Sequence, residues 1–169
     1  MALDARLRFN TDSSDFFNDE GAAGVSASRR IKGIVLHDIL AQVRVKADLD
    51  AAVKRAVVAG VLSWDESEEV RQVLHERICS VESEGWFPED ASSVLNEVEM
   101  IDKDGSVYRP DRVLRIGRSV KIVDYKFGAH YGIYEEKLSK YADIWREMGY
   151  DVESACLWYV ATGDIVRIS

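Results

Sequence analysis

Cysteine is scarce in this chain: Cys79 and Cys156 are the only two in 169 residues, far apart and with neither a C-x-x-C pair nor a cluster of histidines beside them. A structural zinc site or an iron–sulfur cluster held by four cysteines of this chain is therefore excluded. Nothing resembling a secretory signal precedes the two thiols, and no apolar run approaches the ~18 residues a bilayer span requires. Both cysteines are expected to be reduced and the protein cytoplasmic, with no membrane contact. An excess of cations is missing too. The net charge is −8, which argues against binding nucleic acid by charge alone, because phosphate affinity comes from lysine and arginine. Carboxylates gathered round a divalent cation reverse that balance locally, since the loaded site attracts phosphate. There is no Gly-x-x-x-x-Gly-Lys-Ser/Thr phosphate loop, which rules out an ATP-driven motor within this chain. No internal repeat, low-complexity tract or second domain is visible.

What is present is the composition of an ordinary globular domain, 47% hydrophobic and 31% charged, long enough to bury roughly two-thirds of the surface its unfolded form would expose. Residues 1–30 mix Asp, Asn, Ser and Gly with isolated aromatics such as Phe9, Phe16 and Phe17, and read as a polar lead-in or linker remnant before a domain over 31–169. Apolar spacing at Ile34, Leu36, Ile39, Leu40 and Val43 predicts a helix from about Ile31. A second is expected from Leu49 to Ala59, stopped by Gly60. Ser63 followed by Glu66 is a capping-box pattern that opens a third, lasting to about Val81. After Gly85-Trp86-Phe87-Pro88 the period changes to two. Strands are expected over Val94–Ile101 and Ser106–Ile116, joined by the Asp102-Lys103-Asp104-Gly105 turn, and over Val120–Tyr125. An amphipathic helix from Tyr134 to Met148 and strands near Ser154–Val160 and Ile165–Ile168 complete an α/β sheet flanked by helices.

The chemistry concentrates in Arg109-Pro110-Asp111 and Val123-Asp124-Tyr125-Lys126. In the expected meander Asp111 lies on one strand and Asp124 near the end of the next, so that two carboxylates and a lysine converge. Asp124 and Lys126, two residues apart, share a strand face. Ile122 and Val123 make that strand look buried, and an acidic group at its end needs a metal or a partner. Carboxylate oxygens hold Mg²⁺ with several waters retained, an arrangement suited to activating water against a phosphodiester. An ammonium beside it orients that water or stabilises developing charge.

The runs Asn96-Glu97-Val98-Glu99, Tyr108-Arg109-Pro110-Asp111-Arg112-Val113 and Ile122-Val123-Asp124-Tyr125-Lys126-Phe127-Gly128 resemble the nuclease domain that closes RecB- and AddA-type helicase–nucleases, a branch of the PD-(D/E)XK superfamily. The resemblance extends from about Gly33 to Val160. It implies a restriction-endonuclease-like fold: a central mixed sheet, an antiparallel meander plus further strands, flanked by helices. It also implies a Mg²⁺- or Mn²⁺-dependent DNA exonuclease acting in double-strand-break repair and recombination. Asp111, Asp124 and Lys126 would be its active centre. Gly33-Ile34-Val35-Leu36-His37 matches the family's histidine on an early helix, making His37 a metal ligand beside Asp111 and Asp124. Glu97, preferred over Glu99, matches the acidic residue on the strand before Pro-Asp. The family's Gln-x-x-x-Tyr helix motif, whose side chains are aimed at the site, reads Lys137-Leu138-Ser139-Lys140-Tyr141 here, so Tyr141 is kept as a catalytic candidate while lysine replaces glutamine; Lys137 and Arg109 are candidates to contact DNA phosphate, as is Arg112. Tyr125, Phe127, Tyr131 and Tyr134 suit stacking on bases and packing against the helix equally well, while His75 and His130 match nothing. The implied partners are single-stranded DNA ends, a helicase region of the same polypeptide and an AddB-like subunit. Two cysteines disfavour the Cas4-like and AddB-type nucleases, which carry a four-cysteine cluster. The alternative is a nuclease-fold module that no longer cuts and holds DNA or a partner protein.

Overall fold

The computed structural model describes residues 25–168; most of the predicted lead-in, with Phe9, Phe16 and Phe17, lies outside them. The first helix, α1 (Val25–Ala41), begins earlier than its apolar spacing suggests, inside the stretch expected to be linker. α2 spans Leu49–Val58 and α3 Trp64–Ser80. The Ser63 hydroxyl accepts from the Glu66 N–H while the Glu66 carboxylate accepts from the Ser63 N–H, so two otherwise orphaned donors start α3 where the sequence indicated.

The strands differ from expectation at one informative place. The two long strands expected over 94–101 and 106–116 are each broken in the middle. The first becomes β1 (Val94–Asn96) and β2 (Met100–Ile101), the second β3 (Val107–Tyr108) and β4 (Arg112–Ile116). β2 and β3 pair only with each other, while β1 and β4 join the main sheet. Pro110 is one cause, since it has no N–H to give a ladder and is excluded from strand interiors. Glu97 is the other: its φ of 51° puts a non-glycine residue in the left-handed region, turning the chain out of the strand.

β5 (Ser119–Lys126) lies at the centre of the five-stranded sheet, ordered β1-β4-β5-β6-β7. It runs antiparallel to β4 and parallel to β6 (Asp151–Tyr159), which it reaches through α4 (Gly132–Glu147); β7 (Asp164–Arg167) closes the sheet antiparallel to β6. The protein is thus mixed α/β. Alternation along β5 sorts its side chains into two cores: Val123 and Tyr125 pack with α1–α3, and Ile122 packs with Leu138, Tyr141 and Trp145 of α4. Among the described residues no helix is long and apolar enough to cross a membrane. Both cysteines are free thiols.

Arg112, a candidate phosphate contact in the sequence, is fully buried. Its guanidinium donates to the carbonyls of Val43, Arg44 (3.2 Å) and Trp86 (2.8 Å) and to the Tyr125 hydroxyl (2.7 Å), and lies 4.1 Å over the Phe87 ring. The rigid five-donor fork of arginine suits such a junction. Arg112 ties the segment that follows α1 to the sheet, and its burial keeps it from DNA.

Candidate active site at the end of the central strand

The break in β4 is what exposes chemistry. Were the β4–β5 ladder to continue past the Arg112–Val123 pair, Asp111 would lie opposite Asp124. Instead the chain leaves the ladder at Asp111, and the Asp111 carboxylate takes the place of a backbone acceptor: Oδ2 accepts from the Tyr125 N–H at 2.6 Å. Its backbone carbonyl accepts from the Glu97 N–H at 3.0 Å. Asp111 is therefore not on a strand, as expected, but in the gap between β3 and β4. Its placement is nonetheless fixed by the strand beside it.

Its second oxygen, Oδ1, accepts from Nε2 of His37, 2.8 Å away on α1. Burial opposes a charged imidazole there, but the charge of Asp111 and hydrogen bonds to Asp111 and Asp38 outweigh it and lift the His37 pKa to about 10. The same pairing acts in reverse on Asp111: burial would raise its pKa, yet the His37 charge and hydrogen bond, the Tyr125 N–H and Lys126 bring it below the usual carboxylate range. His37 also lies edge-on to Tyr125 and Phe127, with ring centroids 6.2 and 6.5 Å away.

Asp124 and Lys126 share a strand face as predicted. Lys126 Nζ is 2.9 Å from Asp124 Oδ2, and both residues are buried, at 5% and 8% exposure. Burial and then the negative charge of Asp111 raise the Asp124 pKa against the pull of Lys126. The Lys126 ammonium also lies 4.1 Å over the Tyr134 ring.

Around this centre the other candidates separate. Glu97 is half-buried, its charge reaches His37, and its carboxylate lies 3.8 Å from Arg109; Glu99 is exposed. The two glutamates do not share a strand face, because Glu97–Glu99 is not strand. Arg109 is engaged by Glu97, so its availability to phosphate depends on that pair opening. Tyr141 is buried at 1% exposure, and its hydroxyl donates to the Arg109 carbonyl at 3.4 Å, bracing the Pro110 corner. Lys137 lies over the Tyr141 ring at 5.9 Å, and its charge reaches Asp124. One neighbour was missed in the sequence: Tyr159, at the end of β6, is the register partner of Lys126, and its hydroxyl feels the charges of Lys126, Glu135 and Asp124. Only the parallel β5–β6 pairing brings it there, and no local pattern signals that pairing.

Among the described residues no three His, Cys, Asp or Glu side chains are gathered into a ready metal cage. Mg²⁺ does not need one, since it is commonly held by one or two carboxylates with waters and substrate phosphate completing its shell. Burial, and then the charge of the partly buried Asp111, raises the Asp124 pKa, and a cation held between the two carboxylates would offset that repulsion. All of this lies at the C-terminal end of the parallel strands β5 and β6, where open α/β sheets place their ligand sites. No protein-family model matches the chain and no curated protein matches it, so the functional reading rests on the chemistry of this cluster and the sequence resemblance.

Proposed function

We propose that the domain is a metal-dependent deoxyribonuclease of the PD-(D/E)XK kind, a RecB/AddA-like exonuclease hydrolysing phosphodiester bonds in double-strand-break repair. The observation that supports it most is the convergence of Asp111, Asp124 and Lys126 at the end of a buried central strand, from two segments brought together by a broken ladder. Isolated surface carboxylates do not need such a setting; a buried acidic pair beside a lysine does when its task is to hold a cation and polarise a phosphate.

Asp111 and Asp124 would hold Mg²⁺ or Mn²⁺, with His37 as a further ligand once it has given up its proton and released Asp111; the ion, when bound, would neutralise the phosphate and lower the pKa of a water. Lys126 Nζ, held by Asp124, supplies a positive charge and a donor where charge builds on the phosphate oxygens. The carboxylate of Asp124, 2.9 Å away, holds that group in place. Tyr141, through the Arg109 carbonyl, is a positioning residue for the Pro110–Asp111 corner. Arg109, paired with Glu97, and Lys137, whose charge reaches Asp124, would meet the strand backbone. The substrate would be a single-stranded DNA end, presented by a helicase region of the same polypeptide with an AddB-like subunit beside it, in the cytoplasm.

A second reading, a nuclease-fold module that holds DNA or a protein without cutting, is favoured by one observation: His37 already occupies one oxygen of Asp111. Calorimetric titration of Mg²⁺ and Mn²⁺, run beside cleavage of end-labelled single-stranded DNA, separates the two. Binding and cleavage that are both lost in Asp124→Ala support the nuclease. Metal binding without cleavage would point to a nuclease that needs its helicase region to present DNA, and no metal binding would favour the non-cutting module.

A further inference from the structure

Beyond Lys126 the chain runs through Phe127–Tyr131 to the start of α4, and this short loop carries His130. The imidazole lies flat on the Tyr159 ring, centroids 3.6 Å apart and planes within 6°. Tyr159 is 3% exposed, whereas the His130 side chain is 53% exposed, so one face of the imidazole is covered by tyrosine and the other is open. The ring's Nε2 lies 3.9 Å from the Asp164 carboxylate at the head of β7. Tyr131, at 36% exposure, stands edge-on to Tyr134 beside it, with centroids 5.5 Å apart. Because Tyr159 is the register partner of Lys126 and feels its charge, the His130–Tyr159 stack lies beside the proposed catalytic centre.

A planar ring backed by a second planar ring, with its outer face in solvent, suits a third flat aromatic group. The charges nearby decide which part of a nucleic acid that would be. Asp164 beside His130, and Glu135 near Tyr159, repel phosphate but not a neutral base. We propose that the outer face of His130 is the stacking platform for the unpaired nucleobase next to the bond that is cut, and that it sets a preference for single-stranded ends. A base within a duplex is already stacked on both sides and has no free face to offer, whereas every unpaired base has one. This rests on the nuclease reading and deepens it.

The test uses the whole 169-residue chain and fluorescence anisotropy of end-labelled oligothymidylate in Ca²⁺, with cleavage in Mn²⁺ measured alongside. His130→Ala is expected to weaken oligonucleotide binding roughly tenfold, in line with the contribution of one stacked base, and His130→Trp to restore or exceed wild-type binding. Abasic residues placed at each terminal position in turn should remove the difference between wild type and His130→Ala at one position. His130→Ala that binds and cuts like wild type, or that loses as much on every abasic strand as on the intact one, overturns the platform while leaving the nuclease standing. A wild-type protein that neither binds nor cuts any strand overturns both.

Discussion

Asp111 and Asp124 carry the same functional group in the same buried patch, yet their surroundings push them apart: Asp111 below the ordinary carboxylate range, Asp124 above it. Separated pKa values in one cluster are how a site keeps one group charged and makes its neighbour responsive to a cation. Saturating Mn²⁺ at about a hundred times its Kd should raise wild-type stability by about 2.7 kcal/mol, and Asp124→Ala should show no shift in a thermal melt. His37 gives a pH signature in the metal-free protein. Its pKa rises from 6.5 unfolded to about 10 folded, so the stabilisation from its pairing with Asp111 is complete below pH 6.5 and is lost as pH rises through 10. Melting curves in chelator across that window should fall for wild type relative to His37→Gln; parallel curves would show that the pair does not persist in solution. Glu97 holds a backbone conformation that suits glycine. Glu97→Gly should therefore exceed Glu97→Ala in stability by about 1 kcal/mol, because only glycine escapes the left-handed penalty. Both variants lose the carboxylate, so a cutting defect shared by the two would belong to the acid itself, and equal melting temperatures would place residue 97 elsewhere on the backbone map.

At the scale of elements, much of the order was legible before any coordinates. The Ser63–Glu66 box, the Gly60 stop, the period-two run into Asp124 and the amphipathic α4 each depend on local sequence, and each element appears close to its expected bounds. The unbroken 94–101 and 106–116 strands did not. The sign was present, since Pro110 cannot sit in a ladder, but alternation on both sides of it reads as one strand when the proline is overlooked. Glu97 has no comparable mark, because a glutamate in the left-handed region is imposed by its surroundings rather than by its own preference. The distant pairings were hidden for another reason: that Tyr159 adjoins Lys126, or that Arg112 faces three carbonyls of other segments, depends on packing no local pattern encodes. Arg112→Met tests the second point. Its apolar stem would be kept while the Val43, Arg44 and Trp86 carbonyls and the Tyr125 hydroxyl lose their donor. A loss of about 3 kcal/mol or more in denaturant unfolding is expected, since each buried group left unpaired costs ~1–3 kcal/mol. A loss below 1 kcal/mol would mean that water replaces the guanidinium.

Taken whole, the molecule is an acidic body with a small cationic contribution at its site. With a net charge of −8, the proposed attraction for DNA would fall to a loaded metal and to Arg109 and Lys137. If those two side chains make the phosphate contacts, the logarithm of single-strand affinity should fall against the logarithm of salt with a slope of roughly −1.4. A slope several times steeper would reveal a cationic track elsewhere on the chain. The buried guanidinium of Arg112 has a kinetic consequence as well. Its acceptors come from the segment that follows α1, the turn before Pro88 and the central strand, and none of these segments can satisfy it alone. A partly assembled chain must either keep that cation in water, holding the helical layer off the sheet, or bury it with bonds missing. Intermediates with one layer docked are therefore disfavoured, and the helices and the sheet should close together in one cooperative, comparatively slow event whose barrier includes stripping water from a single arginine.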